Sequence, residues 1–272
     1  MPELPEVERV RRNLEPAMAR QRFERVVLRR PDLRAPFPRR FAARLTGQTV
    51  LAVQRRAKYL VLPLSSNDTL LMHLGMSGWF HVDGARSAGR RARHDHVVFH
   101  MSSGAVVTFN DPRRFGFMDL VSTASLPDHP VLGTLGPEPL SPEFDAEALA
   151  RAVRRRKTPL KVALLDQRVV AGLGNIYASE ALHVARLSPD RAASTISTSS
   201  GAPRDSARRL VVAIKQVLTE AIERQSSPAY REDRFRVYDR EAERCRRVRC
   251  GGTIRRRTQA GRSTFFCPVC QR

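Results

Sequence analysis

The chain lacks most of what marks an exported or membrane-bound protein. Of its 272 residues only four are cysteine, and all four lie between positions 245 and 270. A secreted scaffold built on disulfides spreads its cysteines widely, so these serve one local purpose. No apolar run approaches the roughly 18 residues needed to span a bilayer. The opening Met1-Pro2-Glu3-Leu4-Pro5-Glu6 is acidic and has no charged-then-apolar signal pattern. A cytoplasmic protein is therefore expected. Lysine is scarce too: Lys58, Lys157, Lys161 and Lys215 are the only lysines among 48 basic residues, the rest being arginine.

What is abundant is positive charge. The 48 basic residues face 27 acidic ones, a formal net charge of +21. Such a chain repels itself unless a polyanion neutralises it. An arginine excess can also follow from codon composition, so charge alone points only weakly to nucleic acid. With 42% hydrophobic residues, 18 Pro and 15 Gly, the composition is that of a globular protein. The length allows one large domain or two ordinary ones.

Residues 5–20 have helical spacing, with Val7, Val10, Leu14 and Ala17/Met18 on one face. From about Phe23 to Leu120 short apolar runs predict strands: Val50–Val53, Tyr59–Leu62, Leu70–Met72, Val97–Phe99 and Ala105–Val107. Ser102-Ser103-Gly104 suits a hairpin turn between the last two. Arg86 to Arg93 is expected to be an exposed loop. Strands at this spacing suggest a β-sandwich or flattened barrel. A proline-rich linker covers residues 126–142. Ser141-Pro142-Glu143 offers an N-cap and a first-turn proline for a helix running to about Lys157. The clearest helix is 205–224, with Leu210, Val211, Ile214, Val217, Leu218 and Ile222 on one face. The expected organisation is α+β and multidomain: a β-sandwich domain with flanking helices (1–125), the linker, a helical domain (143–234) and a small C-terminal module (235–272).

Cys245-x4-Cys250-x16-Cys267-x2-Cys270 forms two close pairs around a hairpin-length insert. Two chelating turns supply four thiolates to a tetrahedral ion with little loop entropy. The spacing favours zinc over an iron–sulfur centre or four unrelated buried cysteines. Almost no apolar core is expected in so small a module. Its insert, with Arg255-Arg256-Arg257 and then Gly261-Arg262-Ser263-Thr264, is basic. A second signal is Ala171-Gly172-Leu173-Gly174-Asn175-Ile176-Tyr177: a tight turn places Asn175 where a helix begins, with the turn's N–H groups turned to an anion. Lys161 lies fourteen residues earlier and could reach the same phosphate. Alone, such a turn is more often a plain helix cap. Third, removal of Met1 would leave Pro2 as a free secondary amine. An α-amino group has a pKa of about 7.7–8.0, so a usable fraction is neutral near pH 7. Such an amine can attack a sugar C1′, with Glu3 and Glu6 beside it for proton transfer. An ordinary helix start would use the same residues.

Taken together, the motifs resemble those of bacterial formamidopyrimidine-DNA glycosylase. They are Pro2 to Glu8, Arg55 to Leu60, His73 to Gly78, His94 to Val97, Asn110 to Gly116, Leu135 to Leu140, the Gly172–Tyr177 turn and the cysteine tail. They occur in the family's order and cover nearly the whole chain. The resemblance implies a base-excision-repair glycosylase and abasic-site lyase, with a catalytic β-sandwich, a helix–two-turns–helix domain and a zinc finger holding one structural Zn2+. Its partner would be double-stranded DNA carrying oxidised bases or abasic sites. A cytoplasmic, nucleoid-associated monomer with no membrane contact is expected.

The resemblance also assigns residues. Pro2 would be the Schiff-base nucleophile of a β,δ-elimination, Glu3 the proton donor and Glu6 an assisting acid. Lys58 would serve β-elimination. Arg262 would serve δ-elimination, chiefly through its charge. His73, His94, Arg113, Arg156, Lys161 and Asn175 match DNA-contacting positions. Met76, Arg113 and Phe115 match residues that fill the gap left by the everted nucleotide. Cys245, Cys250, Cys267 and Cys270 would bind zinc.

Two departures stand out. The first knuckle is Cys-x4-Cys where the family typically has Cys-x2-Cys. The stretch Glu223–Arg234 lacks the Gly-Gly opening and most of the length of the loop that covers an oxidised purine. Weakened preference for 8-oxoguanine over formamidopyrimidines is expected to follow. An endonuclease VIII-like enzyme for oxidised pyrimidines and a non-catalytic zinc-finger DNA binder are the alternatives.

Overall fold

The computed structural model describes residues 2–84, 92–225 and 235–272. The basic stretch up to Arg91 and residues 226–234 of the shortened segment lie outside the described residues. The chain divides into two units, Met1–Gly133 and Thr134–Arg272.

The first unit opens with α1 (Leu4–Met18), whose buried face is Leu4, Val7, Leu14, Ala17 and Met18. Two four-stranded antiparallel sheets follow. One is ordered β1 (Phe23–Leu28), β6 (Asp95–Met101), β7 (Val106–Asn110), β5 (Trp79–Asp83). The other is ordered β2 (Gln54–Arg56), β3 (Tyr59–Pro63), β4 (Asp68–His73), β8 (Phe117–Ser122). Leu60, Leu62, Leu70 and Met72 of one sheet share a core with Val97, Phe99, Val107 and Phe109 of the other, which makes the unit a sandwich. Short helix α2 (Phe41–Leu45) packs beside β1.

One expected strand is corrected. Val50–Val53 makes only an isolated bridge, Val50 to Leu64, and the strand is Gln54–Arg56. Val50 and Val53 are buried, Leu51 is exposed and Ala52 lies between, a pattern without strand alternation. The Val50 and Leu51 amides bond to Gln21 and Pro63 instead of forming a ladder.

The second unit contains α3 (Ala146–Val153), α4 (Leu160–Leu165), α5 (Asn175–Val184) and α6 (Asp205–Gln225). Helix α6 falls where its apolar face predicted. Helix α3 is shorter than expected and starts later. Its N-cap is Asp145, which accepts the Ala148 amide at 2.7 Å, whereas the Ser141 hydroxyl turns back to the Glu138 carbonyl. An aspartate aimed at the third amide is as good a cap as serine, and here it decides the start.

The cysteine-bearing tail forms hairpin β9 (Arg255–Gln259) and β10 (Arg262–Phe266). Ala260 and Gly261 both have positive φ, as a two-residue hairpin turn requires. This module does have a small core, Val237, Ile254, Phe265 and Cys267, contrary to the expectation of almost none. Among the described residues no helix is long and apolar enough to cross a membrane.

Candidate functional site

In the first unit, Glu3 is the N-cap of α1 and is buried. Its side chain accepts the Glu6 amide, and Glu6 Oε2 accepts the Glu3 amide at 2.8 Å, a reciprocal capping box. Pro2 thus sits one residue before the positive end of α1, on a peptide whose N–H is held by the Glu6 carboxylate. Lys58 occupies the two-residue turn between β2 and β3, after Ala57 at φ +52°. That hairpin is tied to α1 by Arg55, whose Nε donates to Glu8 Oε2 at 3.0 Å and whose Nη1 donates to the Ala57 carbonyl. Burial alone would raise the Glu8 carboxyl, but Arg11 and then Arg55 outweigh it and hold it below its ordinary value. Lys58 is 7% exposed, so its position is set by packing as well as by the turn. Sequence reasoning missed Glu8 as a fixing residue. An acid two residues past Glu6 is its only local signal.

His73 ends β4 opposite Tyr59, with ring centroids 4.8 Å apart, and stacks on Phe117. Its Nδ1 accepts the Gly75 amide. Burial first, then the charges of Lys58 and Arg34, push its pKa down to about 4. A neutral ring with one nitrogen occupied shapes the following turn.

That turn, His73–Gly78, locks against Asn110–Gly116. Gly75 has φ +65°, and a Cβ there would collide with the Phe115 backbone. Buried Asp111 accepts the Ser77 hydroxyl at 2.6 Å and the Gly116 amide at 2.8 Å, while its own amide donates to the His94 carbonyl. The Arg113 amide donates to Ser77 Oγ. Trp79 Nε1–H donates to Asn110 Oδ1 at 3.1 Å at the edge of the same loop. The two turns leave Met76 41% and Phe115 42% exposed, and the Arg113 guanidinium lies 4.8 Å from the Phe115 ring centroid. Apolar side chains held outward on interlocked turns can enter a base stack. Met76, Arg113, Phe115 and His94 are thus served by one local framework.

In the second unit Lys161 is 1% exposed. Its ammonium donates to Asn175 Oδ1 at 2.7 Å, Thr264 Oγ1 at 2.8 Å and the Ser263 carbonyl at 2.9 Å. Asn175 Nδ2 donates to the same carbonyl at 3.0 Å. Lys161, expected to reach a phosphate, directs three N–H bonds at protein acceptors. It joins α4, α5 and β10, and so places Asn175 beside the strand that begins with exposed Arg262. The Gly172–Gly174 turn is stitched by Gln167, which accepts the Gly172 amide and donates to the Leu173 carbonyl. Nothing in the local sequence marks Gln167. Arg156 pairs with Asp166 at 2.7 Å. Arg168 first, and Arg156 after it, hold Asp166 well below the usual carboxylate range against its burial.

The four sulfur atoms lie within 4.8 Å of one another, with Cys250–Cys267 at 3.5 Å and Cys245–Cys270 at 3.9 Å. Tetrahedral ligation at about 2.3 Å requires sulfurs about 3.8 Å apart. Gly252 comes so close that a Cβ would stand 2.6 Å from Cys267 Sγ. Burial and the neighbouring thiols push Cys245 and Cys270 up, a conflict that a bound cation removes. The donor set fits a structural zinc.

Residues 1–118 match the family model of the formamidopyrimidine-DNA glycosylase N-terminal domain, and 135–231 that of its H2TH domain. Residues 242–272 match the zinc finger found in FPG and IleRS. The formamidopyrimidine-DNA glycosylase of Azorhizobium caulinodans is 54% identical over 293 aligned residues, covering 100% of both chains. Among solved structures, Lactococcus lactis Fpg bound non-covalently to DNA with an AP site is similar at TM-score 0.88 and 32% identity, with 100% of each chain covered. A second L. lactis complex, with DNA containing an oxidised pyrimidine, has TM-score 0.87 at 32% identity, again over 100% of each chain.

Proposed function

Since the chain belongs to the formamidopyrimidine-DNA glycosylase family, we propose that it excises formamidopyrimidines and 8-oxoguanine from DNA and cleaves the resulting abasic site by β,δ-elimination through Pro2. With Met1 removed, the Pro2 amine attacks C1′, the damaged base leaves, and a ring-opened iminium forms. Loss of a C2′ proton expels the 3′ phosphate. A second elimination expels the 5′ phosphate, and hydrolysis returns the amine. The positive end of α1 disfavours the ammonium form and so keeps the nucleophile's lone pair available.

The observation that carries this reading is the Glu3–Glu6 capping box, which sets the residue after Pro2 in a buried, rigid frame. Glu3 holds the proton that opens the deoxyribose. Lys58 supplies a point charge able to give up a proton, which a guanidinium cannot do at neutral pH. Arg262 contributes charge at the departing phosphate. Met76, Arg113 and Phe115 occupy the gap behind the everted nucleotide, offsetting a few kcal/mol of lost stacking. His94, Arg156 and Asn175 contact the backbone, while His73 and Lys161 position their neighbours. The DNA partner is a duplex carrying an oxidised base or an abasic site. Cys245, Cys250, Cys267 and Cys270 would hold one structural Zn2+, which supplies folding free energy to the finger and takes no part in the chemistry.

Borohydride trapping tests the mechanism. Processed protein with an abasic-site duplex and reductant should form a covalent adduct, and Pro2→Gly should form it much more slowly. Absence of an adduct, or an undiminished rate in Pro2→Gly, defeats the role of Pro2. The second reading, action on oxidised pyrimidines, is favoured by the L. lactis complex with such DNA. Excision rates on formamidopyrimidine, 8-oxoguanine and oxidised-pyrimidine duplexes separate the two. A normal 8-oxoguanine rate would overturn the expectation drawn from the shortened 223–234 segment.

A further inference from the structure

The wide first knuckle, Cys245-x4-Cys250, has a partner on α5. His183, in the last turn of that helix, is 2% exposed, and its Nε2 lies 3.3 Å from Cys245 Sγ. Arg247, inside the knuckle, answers in the other direction: its Nη2 donates to the His183 carbonyl at 2.7 Å and contacts the Val184 carbonyl at 3.4 Å. The knuckle therefore caps the C-terminal end of α5. The same helix is tied to the finger at two more points. Glu180 accepts the amides of Arg236, Val237 and Tyr238 at 2.8, 2.8 and 3.0 Å. At its first turn Asn175 donates to the Ser263 carbonyl.

A buried imidazole with no hydrogen bond is costly, and an apolar residue would fill the same space more cheaply. Among the described residues His183 Nδ1 has no partner, so the contact with sulfur is the one polar interaction seen there at this ring. We propose that His183 is an outer-sphere positioning residue of the metal centre: its Nε2–H donates to the Cys245 thiolate and couples metal binding to the seating of α5, and so of Asn175. An N–H directed at a metal-bound thiolate withdraws charge from a tetrathiolate site and fixes the sulfur's direction. The two extra residues of the knuckle are what let Arg247 reach the helix end while Cys245 faces the imidazole. The proposal rests on the four cysteines holding a metal, which the metal content of the purified protein tests separately.

The experiment uses the full chain with Co2+ in place of zinc. His183→Phe should move the thiolate-to-cobalt charge-transfer band to lower energy and speed metal loss to a chelator by roughly 10–100-fold. His183→Gln, whose amide can still donate, should recover part of both effects. Rescue by Gln separates a donated hydrogen bond from simple space filling. An unmoved band with unchanged metal loss in His183→Phe overturns the proposal, as does Gln behaving like Phe. Should the Phe variant fail to fold, the wild-type protein loaded with cadmium-113 decides. A scalar coupling between the metal and the His183 Nε2 proton is expected, and its absence at low temperature overturns the assignment.

Discussion

Lys161 shows how far one side chain's role can lie from its type. Its ammonium is buried and spends its donors on Asn175, Ser263 and Thr264. Lys161→Met takes a donor from Asn175 Oδ1 and Thr264 Oγ1, while the Ser263 carbonyl keeps Asn175 Nδ2. It should destabilise the protein by about 2–4 kcal/mol in urea denaturation, since each orphaned group costs about 1–3 kcal/mol and the two are coupled. The convergence of Lys161 and Asn175 was legible from their places around the glycine turn, but Ser263 and Thr264 were not, because they lie 102 and 103 residues away in the finger. His73 teaches the same lesson about charge. Its folded pKa of about 4 lies below the ordinary 6.5. Between those values the unfolded chain binds a proton that the folded chain refuses. The His73 contribution is therefore complete above about pH 6.5, falls as the pH drops through that window and levels off below about 4. A ring-proton NMR titration should give a midpoint near 4, and His73→Asn should remove that part of the pH dependence of stability.

At the scale of elements, the two interlocked turns are the most constrained feature of the first unit. Gly75→Ala would place a methyl against the Phe115 backbone at a positive φ. It should cost at least about 2 kcal/mol, combining left-handed strain with overpacking. It should also separate Met76 from Phe115, so the fluorescence of 2-aminopurine placed next to a lesion should rise less on binding than with the wild type. The turns could be read in the sequence as motifs, and Met76 and Phe115 alone would have been assigned to the core. What could not be read is the pairing of the turns, which depends on the buried Asp111 carboxylate reaching Ser77 thirty-four residues earlier. The start of α3 failed for a local reason. Two capping signatures compete within five residues, and only the direction of the Asp145 side chain decides between them. Val50–Val53 is an apolar run of strand length, but its backbone bonds go to two different segments.

For the whole molecule, the net charge of +21 is less free than it looks. Arg55, Arg240 and Arg247 are spent on carboxylates or carbonyls inside the fold. Exposed Arg262 and the outer face of β9 are better placed to meet phosphate. Composition could not tell these two groups apart, whereas the cysteine spacing did predict the cluster. The finger's own core is small, so removing the metal should undo more than the knuckles. Chelation under reducing conditions is expected to abolish binding of lesion duplex while most of the far-ultraviolet circular dichroism persists, because the sandwich has a separate core. Added zinc should restore binding.

The hydrogen bond from Trp79 to Asn110 has a practical side. Trp79 is the chain's single tryptophan, half exposed and anchored to the residue that opens the Asp111 loop. Its emission is therefore an intrinsic optical probe of one place. A change in its fluorescence on mixing with DNA reports the base of the Asp111 loop, at Asn110, on the time scale of stopped flow and without any attached dye.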